Sequence, residues 1–425
     1  MDAAASESLH YPPDLAAHTL ERWSGVHAKA EGLPGLRELS ELMGHAFYAS
    51  CLSEEGRAVR CRIILAEPED FENQEGPPVG FHILAFDPPK PLTPHEIGKI
   101  AFAAHYYRSL IAVRLTPAGS FEVWGMVDSG PRWVSKTDGG RTEGTPLPVR
   151  LVVEVLAPGE ISAACGYRRV AQLKGGRIAQ DGMDPFRSQW LPDMFQPFRC
   201  EILRRFEGEG IQGAAVDEQF IGLLSQNVIR RTLSLVRNAR HGGMLVILPP
   251  DSTAFAPESG ILRIGYPFES APARARYSRL MLTAVRELAL AGSKRGLERV
   301  NWAEYQQFSE DGLANVDEAI FEMAHLFADL MSVDGALLLS QRFDLIGFGV
   351  EITASAAVEC VYAALDLEAT QSRRESVNLA GTRHRAAYRL CCTCRQALAT
   401  VISQDGGVRF VRNFNGRITY WDYTA

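Results

Sequence analysis

MLVILPP, residues 244–250, is the stretch on which the fold turns. Its first five residues are apolar without a polar interruption, and two prolines close it. Alternation would mean a strand with one wet face, whereas an unbroken run bounded by turn residues means a strand buried on both faces. The sequence just before it agrees. DEQFIGLLSQNVIRRTLSLVRNAR (217–240) puts Phe220, Leu223, Leu224, Val228, Leu233 and Val236 on one face of a helix, and HGG (241–243) stops it. Helix, glycine stop and buried strand make an α/β core unit.

Working outward, ILRIGYPF (261–268) reads as a strand and ARYSRLMLTAVRELALAG (275–292) as a charged helix. NVDEAIFEMAHLFADLM (315–331) is the clearest helix: Asn315 caps it, Glu318 stands three residues on, and Ile320, Met323, Phe327 and Leu330 form its buried stripe. SVDGALLLS (332–340) is a turn and a strand that pairs with LIGFGVEI (345–352). A helix over 383–396, the strands LATVIS (398–403) and VRFVRN (408–413), a turn at Asn415-Gly416 and RITYW (417–421) complete the chain. The C-terminal half is therefore expected to be a mixed sheet flanked by helices.

A separate mixed α/β domain is expected upstream. VRCRIILAE (59–67), PVGFHILAF (78–86), SLIAVRLT (109–116), SFEVWGMV (120–127) and VRLVVEVL (149–156) are strand-like runs bounded by turn residues. Between the second and third lies a helix, TPHEIGKIAFAAHYY (93–107), with Thr93 as N-cap and Pro94 in its first turn. The first 40 residues read as a loosely docked lead-in. Residues 181–205 have prolines and scattered aromatics without a period. They form the boundary, giving an N-terminal domain over 1–205 and a C-terminal domain over 206–425.

The chain has 425 residues and is 46% hydrophobic, enough for two ordinary cores. Its net charge of −7 argues against a general nucleic-acid binder. The eight cysteines show no framework spacing and read as reduced thiols. With no secretory signal and no apolar run of membrane length, a cytoplasmic protein is expected.

Two motifs carry chemistry. GTRHRAAYRL (381–390) starts a helix, with Gly381 allowing close backbone approach and Thr382 as N-cap, yet Arg383, His384 and Arg385 crowd cations at the positive end of the helix dipole. A bound phosphate would satisfy the free first-turn amides, the dipole and the guanidiniums together. On these residues alone a second reading stands equally: an exposed helix start whose arginines pair with neighbouring carboxylates. In DGALLL (334–339), Asp334 precedes an apolar strand, where a carboxylate could hold a divalent metal or accept a proton. An ordinary Asp-Gly turn is the alternative.

In combination the motifs are more specific. DGA, then about 45 residues, then GTRHRAA, then VIS before acidic and glycine residues, resembles the diadenylate cyclase domain family, the nucleotidyltransferase domain of bacterial DNA-integrity scanning proteins. The resemblance covers roughly 215–425, with an apparent insertion around 270–305. It implies one ATP per domain, Mg²⁺ or Mn²⁺, and two domains meeting face to face as a homodimer or higher two-fold assembly. Each ribose 3′-hydroxyl would attack the other ATP's α-phosphate, giving cyclic di-AMP and two pyrophosphates. By the same resemblance Asp334 and His384 are catalytic and metal-linked; Gly335, Ala336, Gly381, Thr382, Arg383, His384, Arg385 and Ser403 bind ATP. The family's Ser-Glu-Glu is here Ser403, Gln404 and Asp405. That departure keeps alive the alternative of a catalytically weak sensor of ATP or cyclic di-AMP. A metal-dependent transferase acting on another nucleotide is a third reading. The helical DNA-binding tail of the scanning proteins is missing, so DNA is not an expected partner, and neither is a membrane.

The N-terminal domain shows no catalytic constellation and is expected to sense an unknown ligand or protein, or else to serve only dimerisation. GEGIQG (208–213) mimics a dinucleotide fingerprint but follows charged RRFEGE rather than a strand, so it reads as a linker. CCTC (391–394) lacks a second cysteine pair and reads as a helix face.

Overall fold

Strand Gly243–Leu248 is buried at every position. Met244, Val246 and Leu248 point into one core, Leu245 and Ile247 into another. It is an interior strand, fourth in a nine-stranded mixed sheet, in a computed structural model that describes residues 9–26, 32–54, 56–71, 74–77, 80–130, 140–141, 147–180, 183–404 and 406–423. Across that sheet the order is Leu262–Pro267, Leu345–Ile352, Ala336–Ser340, Gly243–Leu248, Leu398–Ile402, Val408–Phe414, Arg417–Tyr423, Cys360–Ala364 and Ser372–Ser376. Gly243–Leu248 runs parallel to Ala336–Ser340 and antiparallel to Leu398–Ile402. Helices Glu218–Ala239, Arg276–Lys294 and Asp311–Met331 cover the Leu245 face, and helix Thr382–Thr393 covers the other.

The chain is α/β: this helix-flanked sheet follows a separate mixed α/β N-terminal domain. One compact unit holds residues 1–137 with 142–182, the other 138–141 with 183–425. The division falls at 182/183 rather than at 205/206, because Phe186, Trp190, Leu191, Phe198 and Ile202 are buried in the same core as Leu245 and Phe410. Within the second unit Arg141 also forms an ion pair with Asp317 at 2.6 Å.

The first unit contains an eight-stranded sheet. Its order is Arg177–Gln180, Arg168–Lys174, Glu160–Cys165, Leu151–Ala157, Cys61–Leu65, Ser109–Leu115, Phe121–Asp128 and His82–Pro91. Three of these, within 160–180, were not anticipated, since their short runs are diluted by arginine, glutamine and glycine. Helix Pro94–Ala101 begins as expected, with Thr93 Oγ1 accepting from the Glu96 amide at 3.1 Å. Among the described residues of the first 40, the lead-in is docked rather than loose: helix Pro12–Val26 buries Leu15, Ala16, Thr19 and Trp23, and a second helix spans Leu36–Ser50.

Helix Asp311–Met331 starts a turn before Asn315, which is therefore interior and not a cap. Extending the helix buries Leu313 and Val316 and places Asp311 at the dipole's positive end.

Candidate functional site

Register places the motifs at one end of the nine-stranded sheet. Leu245 lies opposite Leu337, and Gly243 opposite Ile402. Gly242, Asp334 and Ser403, each just beyond its strand, therefore share that end. Helix Thr382–Thr393 starts there too, anchored to the sheet by buried Ala387, Tyr388, Leu390 and Cys391.

Asp334 is fully exposed, and its Oδ1 lies 3.8 Å from Arg383 Nη2. That distance is an ion pair but not a hydrogen bond, so both groups keep capacity for a ligand. Gly335 holds the turn at φ +113°, where an added Cβ would come within 2.6 Å of the Gly349 carbonyl carbon. Only glycine fits. Ala336 follows as a buried residue of the strand's core.

The arginine has a seat that the sequence reading overlooked. At Gly242, with φ +68°, a Cβ would lie 2.8 Å from Arg383 Nη1 and 2.9 Å from the Ile402 carbonyl oxygen. The guanidinium thus packs on bare backbone. HGG was legible only as a helix stop, and its role as this cradle depends on residues 140 or more positions away.

Gly381, not Thr382, is the N-cap: it is extended (φ −63°, ψ 165°), and its carbonyl accepts from the Arg385 amide at 3.0 Å. Thr382 is the first helical residue, and no side chain caps the helix. Helix geometry gives the amides of Thr382, Arg383 and His384 no acceptor within the helix. Arg385 is exposed. The His384 ring turns back toward its own helix, 6.4 Å from the Tyr388 ring.

Ser403 is at the same end, but its amide and hydroxyl both donate to the Gly407 carbonyl, at 2.8 and 3.1 Å. Its hydroxyl closes the hairpin. Gln404 is exposed beside it, and Asp405 lies outside the described residues. Among the described residues, no group of three or more His, Cys, Asp or Glu could hold a metal.

Cys391 is buried with its thiol pushed up to about 12 by burial, as for a cysteine packed in the core. GEGIQG follows helix Gln196–Gly208, not a strand, and Glu209 accepts from Arg286 Nε at 2.6 Å.

Residues 28–128 match the family described as "Probable sensor domain DACNV". No curated protein matches the chain. Among solved structures, the chain is similar to a hypothetical membrane spanning protein from Bacillus cereus, at 16% identity and a TM-score of 0.24. That match covers 47% of this chain and 64% of the other. No described helix is long and apolar enough to cross a membrane.

Proposed function

We propose that the C-terminal domain is a diadenylate cyclase and that the N-terminal domain regulates it as a sensor. The observation that carries this reading is the convergence of Asp334, Arg383 and the uncapped start of helix Thr382–Thr393 at one sheet end. A carboxylate alone, or a cationic helix start alone, has ordinary explanations; a cation seated on Gly242 between a carboxylate and a helix start without a side-chain cap suits a triphosphate. The match over 28–128 supports the regulatory half, since this sensor domain occurs at the N-terminus of diadenylate cyclases.

Arg383 and Arg385, with the first-turn amides, bind and orient the phosphates and neutralise charge as pyrophosphate leaves. Asp334, the exposed carboxylate facing them, orients the ribose 3′-hydroxyl and accepts its proton. If Mg²⁺ or Mn²⁺ takes part, Asp334 would hold it, with His384 as the further protein group, and the ion would supply charge neutralisation. One chain carries one such set, so a symmetric cyclic dinucleotide requires two copies facing each other.

The decisive experiment is incubation of the pure protein with ATP and Mn²⁺, followed by mass detection of cyclic di-AMP. If ATP binds and no product forms, the second reading replaces the first: a nucleotide sensor, favoured by Gln404 standing where the family carries a carboxylate.

A further inference from the structure

We propose that the C-terminal domain binds a free α-amino acid with an apolar side chain in a cavity at the end of its sheet remote from Asp334, with Arg412 taking the carboxylate and Asp193 the ammonium. Alternate residues of a strand share a face, so Phe410, Arg412 and Phe414 of strand Val408–Phe414 point the same way. Phe410 is buried in the core that holds Leu245, and Phe414 packs against it. An arginine stands where this pattern calls for a third apolar residue.

Arg412 is half-buried between two aromatic rings, its guanidinium 5.0 Å from the Trp190 ring centroid and 5.5 Å from that of Phe414. These rings hold the group without supplying a counter-charge. Among the described residues no carboxylate pairs with Arg412 and no acceptor takes its side-chain donors. Burial pulls Arg412 below the ordinary arginine range, opposed only by Cys391, and that thiol, pushed up to about 12 by burial, is uncharged at neutral pH. The planar fork of the guanidinium is thus left for a ligand, and it suits a carboxylate.

The cavity that Arg412 lines measures about 400 Å³, a size typical of small-molecule sites. Arg412 lies opposite Leu398, where strand Leu398–Ile402 begins, whereas Ser403 follows its other end. Gln341, also in the lining, follows Ser340 at the end of the strand that Asp334 precedes. The cavity and the candidate phosphate site therefore sit at opposite ends of the sheet, and Arg412 is no part of the proposed cyclase machinery.

The lining indicates the ligand. Trp190, Met194 and Phe414 give an apolar wall, and Trp190 is fixed in place, its Nε1 donating to the Leu367 carbonyl at 3.0 Å and its ring 4.6 Å from that of Trp421. Asp193 is exposed in the same lining, yet it forms no ion pair with Arg412. Opposite charges thus border one cavity without meeting. Asp193 disfavours a phosphate dianion and Arg412 a simple cation, whereas a zwitterion satisfies both and lays its side chain on the apolar wall.

The test is calorimetric titration of the full chain, at neutral pH and without nucleotide, with L-leucine, L-methionine and L-phenylalanine in turn. At least one should bind saturably. Its N-acetyl derivative lacks the ammonium and its amide lacks the carboxylate, so each should bind about tenfold more weakly or worse. Arg412→Gln and Asp193→Asn should weaken binding to a similar degree, and the exposed position 193 keeps the test open if the Arg412 variant does not fold. No saturable binding of any of the three, a derivative that binds as tightly as the free amino acid, or unchanged affinity in either folded variant overturns the proposal. Neither ATP nor turnover enters the measurement, so failure of the cyclase reading would leave this result standing.

Discussion

Asp334 and Arg383 lie 49 positions apart in the chain and 3.8 Å apart in space. An exposed pair of this kind contributes little to stability, about 0–1 kcal/mol, so its value lies in what it can do for a ligand. Asp334→Asn should therefore leave the thermal midpoint within a degree or two while lowering turnover at least ~100-fold, with ATP still bound. Undiminished cyclic di-AMP formation would remove Asp334 from the mechanism. Gly242→Ala should behave differently, because its methyl would meet both the Arg383 guanidinium and the Ile402 carbonyl at a φ of +68°. A loss of roughly 1–3 kcal/mol in stability, with weaker ATP binding, is expected from strain and the displaced arginine. Denaturant titration and ATP titration would read the two effects; an unperturbed variant would mean that the cradle is incidental.

Elements were legible where burial follows a simple period. Gly243–Leu248 announced itself because both faces are buried, and Asp311–Met331 because Ile320, Met323 and Phe327 repeat at helical spacing. Helix Pro12–Val26 did not, since its buried face uses Ala16 and Thr19 beside Leu15 and Trp23, leaving little contrast. The cap of helix Thr382–Thr393 misled for another reason. Threonine is the better cap by type, but the chain enters extended at Gly381, and backbone geometry decides which residue caps. The candidate site's residues stand in the sequence as motifs, while Gly242 as the arginine's seat needed the register of three strands. Gly381→Asp should exploit the missing cap: it adds an acceptor and a negative charge at the helix start, stabilising the empty protein by about 0.3–1 kcal/mol. The same carboxylate would repel a phosphate, so ATP affinity should fall. Tighter ATP binding in that variant would argue that no anion uses this helix start.

The whole molecule adds the question of which parts stand alone. A chain covering 206–425 omits Phe186, Trp190, Leu191, Phe198 and Ile202, all buried in the C-terminal core. At roughly 1.5–3 kcal/mol for each large side chain, the loss is comparable with the total stability of a domain. That chain should expose apolar surface and aggregate. One covering 183–425 retains those residues, gives up the Arg141–Asp317 pair, and should unfold cooperatively. With this fragment the two-copy requirement can be examined cleanly. A single ATP cannot supply both hydroxyls and both α-phosphates of a cyclic dinucleotide, and each chain has one DGA and one GTRHR. Specific activity of the 183–425 fragment should therefore fall on dilution and recover on concentration, following the fraction of paired chains seen by sedimentation. Mixing Asp334→Asn with Arg383→Ala chains sharpens the test, since every mixed face-to-face pair has one defect on each side and cannot complete both transfers. Cyclic di-AMP made at a rate per molecule independent of concentration, by a fragment that sediments as a monomer, would defeat the two-fold arrangement.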